Sequence, residues 1–199
     1  MSDVLRAAQL MPDQLKANLE PFMQKIQQLS ERLQIDLSLF QADHIALRIN
    51  DWTLAELAHQ AWLREGTVIS QAQIHGRPII VLVLDTPLLT PLGEIACLEL
   101  PYPAEGKAYP VQSWEHVEFV IPSTAITAEQ YLGDLKAQFP TLAAQWDQLD
   151  SFSVQVKLSS PKGEGERLHN PTVAFKWQEV CIKLHPHSLA AVIESESGA

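Results

Sequence analysis

The sequence is poor in cysteine, in positive charge and in long apolar runs. Its two cysteines, Cys97 and Cys181, lie far apart and neither belongs to a CxxC pair, which excludes a zinc ribbon and a thioredoxin-type motif. Lysine and arginine number 14 against 24 aspartates and glutamates, a formal net charge of −10. Such a chain does not neutralise phosphates, which argues against sequence-independent binding to nucleic acid and against docking on anionic membranes. No stretch approaches the ~18 consecutive apolar residues of a transmembrane helix. The opening residues MSDVLRAAQLMPDQ carry no basic region followed by an apolar run, so no signal peptide is expected. A GxSxG elbow, a Ser/His/Asp order and the GxxxxGK(S/T) phosphate loop are missing too; KGEGERL, residues 162–168, matches the last only superficially. These absences lead to the expectation of a cytoplasmic protein with free thiols.

What is present is a globular composition: 199 residues, 46% hydrophobic and 19% charged. Between Gln14 and Leu33, Leu15, Leu19, Phe22, Met23, Ile26, Leu29 and Leu33 recur at steps of three and four, which predicts a helix. The period then changes to two. Residues 43–49 read as a strand with Ile45, Leu47 and Ile49 on one face and His44, Ala46 and Arg48 on the other. Asn50 or Asp51 can cap a helix over 53–65, and three strands follow at 67–74, 77–84 and 93–100, with Gly76 as a hairpin signal. After the Pro-rich segment 101–110 the order repeats: strand 115–121, helix 127–139, strand 152–158, a polar loop 159–171 expected to move over a binding site, and strands 172–177 and 180–184. The fold expected is α+β, two βαβββ modules (41–110 and 111–199) forming one curved, barrel-like mixed sheet, with residues 1–40 as an N-terminal helical extension.

Two pairs of segments support a duplication. DHIALRI (43–49) aligns with EHVEFVI (115–121), 72 residues later, and CLELP (97–101) with CIKLH (181–185), 84 residues later. The difference in offset matches the polar loop, which has no counterpart in the first half.

The repeat singles out three residues. His44 and His116 occupy equivalent first-strand positions, each opposite an apolar face, and Glu99 stands opposite Leu98 and Leu100. A carboxylate in a strand as apolar as ACLEL is unfavourable unless it is paired or bound to a cation. Two imidazoles and one carboxylate suit a divalent transition metal such as Fe, Mn, Ni, Co or Zn, and three protein ligands leave positions open for water or substrate. Singly, each residue could instead be a half-buried histidine or a strand-edge ion pair.

The modules, with ligands on the first and last strands, resemble the vicinal oxygen chelate superfamily, which includes glyoxalase I, extradiol dioxygenases and bleomycin-resistance proteins. ADHIALRI, GRPI, ELPYP, WEHVEFVIP, SSPKGEGERL, NPT and IKLHP make the chain more closely similar to the bacterial YecM family. The superfamily resemblance implies metal ligands at His44, Glu99 and His116. Its fourth ligand, usually a glutamate, falls on Lys183, a departure, because a protonated lysine cannot coordinate a metal. Lys183 pairs with Glu99 or Glu118, or holds an anionic substrate.

Glu118 and Lys183 are the candidate catalytic residues, with Glu118 as base or as orienting group. Arg48 and Lys183 are the candidate substrate-binding pair, the alternative for Arg48 being an ion pair with Glu118 or a place beside Lys183. His185 is a further possible ligand, whereas His59, His75 and His169 read as solvent or loop residues. Three functions remain open: a metalloenzyme (isomerase, lyase or dioxygenase) on a small oxygen-rich substrate, anionic if Lys183 and Arg48 contact it; a non-catalytic small-molecule binder; and a metal-free protein in which Lys183 and Glu99 pair. The partner expected is a small molecule, and the chain a monomer or homodimer.

Overall fold

A computed structural model describes residues 2–161 and 167–197. The centre of the loop expected to cover the site, 162–166, lies outside the described residues. Three helices, α1 (Ser2–Ala7), α2 (Pro12–Ala17) and α3 (Leu19–Leu33), precede the first strand. The single helix expected from Gln14 breaks at Asn18, whose N–H turns back onto the carbonyls of Gln14 and Leu15. The carbonyl of Leu15 also accepts the buried Trp114 indole N–H at 2.8 Å, tying α2 to the sheet. α3 ends on Gln34 in the left-handed region, φ 55°.

Two runs of strands follow. The first comprises β1 (Gln41–Arg48), α4 (Trp52–Trp62), β2 (Gly66–Ile74), β3 (Arg77–Thr90) and β4 (Gly93–Pro101). The second comprises β5 (Ser113–Val120), α5 (Ala128–Gln138), α6 (Pro140–Gln145), β6 (Val154–Ser159), β7 (Thr172–Trp177), β8 (Val180–His185) and α7 (Leu189–Ser197). Asp51 caps α4 by accepting from Leu54 N at 2.9 Å, and His75 and Gly76, at φ 52° and 76°, form the tight turn between β2 and β3. β3 runs past Leu84 because an irregularity between Val83 and Leu88 absorbs Asp85 and Pro87 before pairing resumes with Glu94 and Ile95. Pro140 opens α6 as its first residue, directly after α5.

The described strands form one curved, open sheet in the order β2-β3-β4-β1-β5-β8-β7-β6. Its registers repeat with the sequence offsets. His44 faces Cys97 and Ala46 faces Glu99 on the parallel neighbour; His116 faces Cys181 and Glu118 faces Lys183 in the same way. At the centre β1 and β5 run antiparallel, with His44 opposite Glu118 and Ala46 opposite His116. The apolar faces repeat as well: Ile45, Leu47, Leu98 and Leu100 match Val117, Phe119, Ile182 and Leu184, and all eight are at most 1% exposed. Each such side chain contributes about 1.5–3 kcal/mol on burial, which specifies the register, since a one-residue slip would bring the polar face inward. Helices α3, α4 and α5 pack on the sheet against β5 and β8, β4, and β6 and β7 respectively. The other face of the sheet bounds a cavity of about 480 Å3.

Candidate metal centre

Period-two alternation turns His44, Glu99, His116 and Glu118 into this cavity, where one donor atom from each lies within 4.8 Å of the others. The three residues expected to converge therefore do so, and Glu118 joins them. His44 Nε2 and His116 Nε2 lie 3.4 and 3.0 Å from Glu118 Oε1, and His116 Nε2 lies 3.5 Å from Glu99 Oε2. His185, His44 and Asp43 form an adjoining group, with His185 Nε2 3.1 Å from Glu118 Oε2.

The outer nitrogen of each ring is anchored. His44 Nδ1 lies 3.0 Å from Asp43 Oδ2, His116 Nδ1 contacts Glu115, and His185 Nδ1 lies 2.6 Å from the His187 carbonyl. In each case the outer acceptor takes the Nδ1 proton, so Nε2 is the nitrogen turned toward the carboxylates. His116 Nε2 and His185 Nε2 are buried without a well-aligned hydrogen-bond partner. Lone pairs facing carboxylate oxygens repel unless a proton or a metal ion stands between them. This orphaned, inward-facing donor set fits a cation and is the arrangement of metal-binding histidines held by outer acceptors.

The anchors are held in turn. Asp43 Oδ2 also accepts Leu189 N at the start of α7, 2.8 Å away, and Arg48 Nη2 lies 2.9 Å from Glu115 Oε1. Arg48 is thus paired with Glu115, not with Glu118 or Lys183, and its guanidinium lies 3.9 Å over the Tyr109 ring. Lys183 Nζ lies 3.3 Å from Glu118 Oε1, so of the two partners expected for Lys183 the contact is with Glu118 and not with Glu99.

Burial drives the histidine pKa values down, but the Glu118 charge and the Asp43 hydrogen bond outweigh it at His44, raising it to about 10. At His116 burial and Lys183 lower the pKa, and the opposing effect of Glu115 and Glu118 again leaves it at about 10. Glu118 is held well below the usual carboxylate range: burial raises it, but the charges of His44 and Lys183 and the close approach of His116 and His185 prevail. The carboxylates demand positive charge, which two imidazoliums or one divalent cation supply equally. Burial raises the pKa of both thiols, pushing Cys181 up to about 12. Neither belongs to the donor groups above.

Sequence reasoning missed Glu118 as a cluster member and, reading His59 as a solvent or loop residue, missed its contact with Tyr102. The signal for Glu118 was available: it is two residues past His116, on the same face, beside the lysine that stands where a glutamate was expected. His59 lies on α4 with Nδ1 3.1 Å from the Tyr102 hydroxyl.

An α+β protein with an open, curved mixed sheet and a buried histidine–carboxylate cluster is the class that fold and site define. Residues 11–196 match the model of the YecM protein family, to which the chain belongs. It is 35% identical over 185 residues to protein YecM of Escherichia coli, covering 93% of this chain and 94% of that protein. It is 33% identical over 181 residues to an uncharacterized protein of Haemophilus influenzae, covering 88% and 90%. The solved structure of protein EC4020 superposes with a TM-score of 0.70 at 30% identity, covering 88% of this chain and 87% of that one.

Proposed function

We propose that the protein binds one divalent transition metal (Zn, Ni, Fe, Mn or Co) through His44, Glu99 and His116, with Glu118 as fourth donor. On this reading it is a metalloenzyme of the vicinal oxygen chelate type acting on a small, oxygen-rich, anionic substrate. The observation that carries it is the set of histidines anchored at Nδ1 whose Nε2 atoms converge on Glu118 and Glu99. The matched registers of β1–β4 and β5–β8 support a duplication of residues 41–110 in 111–199. A bound metal supplies Lewis acidity to two adjacent substrate oxygens, the common requirement of isomerase, lyase and dioxygenase chemistry. Glu118 lies where it can take up a substrate proton, Lys183 beside it steadies negative charge, and Asp43 and Glu115 keep the rings in one tautomer. The small-molecule partner, cytoplasmic setting and monomeric or dimeric state belong to the same reading.

A second reading, a non-catalytic binder with the same cavity, is favoured by one observation. The carboxylates around the cluster are engaged: Glu118 with Lys183, Glu115 with Arg48, Asp43 with Leu189 N. Elemental analysis of untagged protein, with calorimetric titration of Ni(II) and Zn(II), tests the metal centre. One ion per chain, lost in His44→Ala and His116→Ala, is expected; no stoichiometric uptake by the wild type overturns it. Turnover of a trapped cellular ligand separates enzyme from binder.

A further inference from the structure

The metal cavity has a neighbour whose charges are of one sign. A side pocket of about 130 Å3 shares Arg48, His75, Arg77 and Pro101 with the main cavity and adds Lys107 and Tyr109. No aspartate or glutamate among the described residues lines it. The nearest acids by sequence, Asp51 and Glu105, line an adjoining hollow that also touches Arg77 and Lys107, but neither forms an ion pair with them. Arg48 has spent its charge on Glu115 and its ring face on Tyr109, though its Nε stays buried without a partner. Arg77 and Lys107 have no ion pair with a carboxylate among the described residues. Arg77 is half-buried, and its guanidinium donates to the Tyr102 carbonyl at 3.0 Å. That bond holds the planar fork in place while leaving most of its donors unused. A half-buried guanidinium without a counter-ion is unfavourable, and its geometry matches a phosphate or carboxylate.

We propose that this pocket seats a distal oxyanion of the ligand, phosphate or carboxylate, bound by Arg77 and seconded by Lys107. The proposal rests on the metal reading only for the ligand's other end, where adjacent oxygens meet the cluster. Pro101, which lines both spaces, is two residues past Glu99 on β4, and Arg77 is two residues from Ile79, the partner of Pro101. At about 3.3–3.4 Å per residue the two ends of the ligand lie roughly 7–14 Å apart. The substrate class is therefore an elongated organic anion, with vicinal oxygens at one end and a phosphate or carboxylate at the other. Arg77 sets that specificity.

The test is calorimetric titration of the full chain with inorganic phosphate and, separately, with acetate, at low ionic strength. Wild type stripped of metal and His44→Ala are expected to bind one of the two anions alike. Arg77→Met is expected to weaken that binding roughly tenfold, Lys107→Met less, and Arg77→Lys to retain part of it. The stronger of the two anions identifies the group. Equal binding by wild type and a folded Arg77→Met overturns the proposal. So does binding that requires Ni(II) and vanishes in His44→Ala, because the anion would then be a metal ligand. If Arg77→Met does not fold, Arg77→Lys and the surface variant Lys107→Met decide, and anion binding unchanged in both overturns it. Ni(II) titration of the same proteins separates the two readings: phosphate bound through Arg77 by a chain that takes up no Ni(II) removes the metal and leaves the pocket.

Discussion

Lys183 Nζ lies 3.3 Å from Glu118 Oε1 on the neighbouring strand, in the register where, in the first run of strands, Glu99 faces Ala46. The two halves have exchanged their chemistry: a small residue beside a carboxylate in one, a carboxylate beside an amine in the other. The second carboxylate of the cluster thus comes from β5 instead of β8. The carboxylates around it, Glu118 foremost, raise the Lys183 pKa despite its burial, so the amine stays charged beside the donors.

Replacing Lys183 by Met removes a positive charge next to the donor set. Ni(II) affinity is expected to rise by at least about tenfold, equivalent to about 1.4 kcal/mol and well within the few kcal/mol between charges ~4 Å apart at an effective dielectric near 20. Calorimetry of the two proteins checks this, and weaker binding in Lys183→Met would show that the amine props Glu118 in place.

Asp43→Asn and Glu115→Gln each keep the shape of the outer anchor and remove its charge. Metal affinity should fall about 10–100-fold in each while His44 and His116 stay present. Asp43→Asn should also loosen α7, because Asp43 accepts Leu189 N. Faster amide exchange at Leu189 in Asp43→Asn, and not in Glu115→Gln, is the expected signature.

Much of this centre was legible in the sequence. Period two assigned His44, Glu99 and His116 to one face, and the acid-histidine dipeptides Asp43-His44 and Glu115-His116 marked matched positions. What pairs with what across the sheet was not legible. The partner of Arg48 is Glu115, three residues nearer along β5 than Glu118, and which acid a long guanidinium reaches depends on strand stagger. The register shift between Ala46 and Leu47 is part of that stagger. The break at Asn18 was equally hidden, because the apolar steps through Leu15 and Leu19 continue across it; a tertiary bond from Trp114 fixes it there.

Gly66 tests the packing of β2 against β3. A Cβ at this position would meet the Val83 carbonyl oxygen at 2.5 Å and its carbon at 3.1 Å. Both belong to the backbone and cannot swing away. Gly66→Ala is expected to destabilise the protein by about 1–3 kcal/mol in urea unfolding, with the slope unchanged.

His59 supplies a pH dependence away from the metal donors. Burial lowers its pKa below the ordinary 6.5, with Glu56 opposing. The unfolded chain therefore binds this proton more readily than the folded one. The stability contributed by His59 is present above pH 6.5 and is lost as pH falls through the folded value. A ring titration followed by NMR should give a midpoint below 6.5. His59→Gln should remove this component from the pH dependence of unfolding.

The hydrogen bond from Leu189 N to Asp43 joins the first residue of the Asp43-His44 dipeptide to helix α7, 146 positions away. A ribosome delivers Asp43 and His44 well before Leu189. During synthesis β1 waits without its central partner β5, and His44 without the acid across from it. The four clustered side chains lie within residues 44–118, whereas the bond that braces Asp43 from α7 forms only once Leu189 has emerged, so the cluster gathers first and its outer anchor is fixed later.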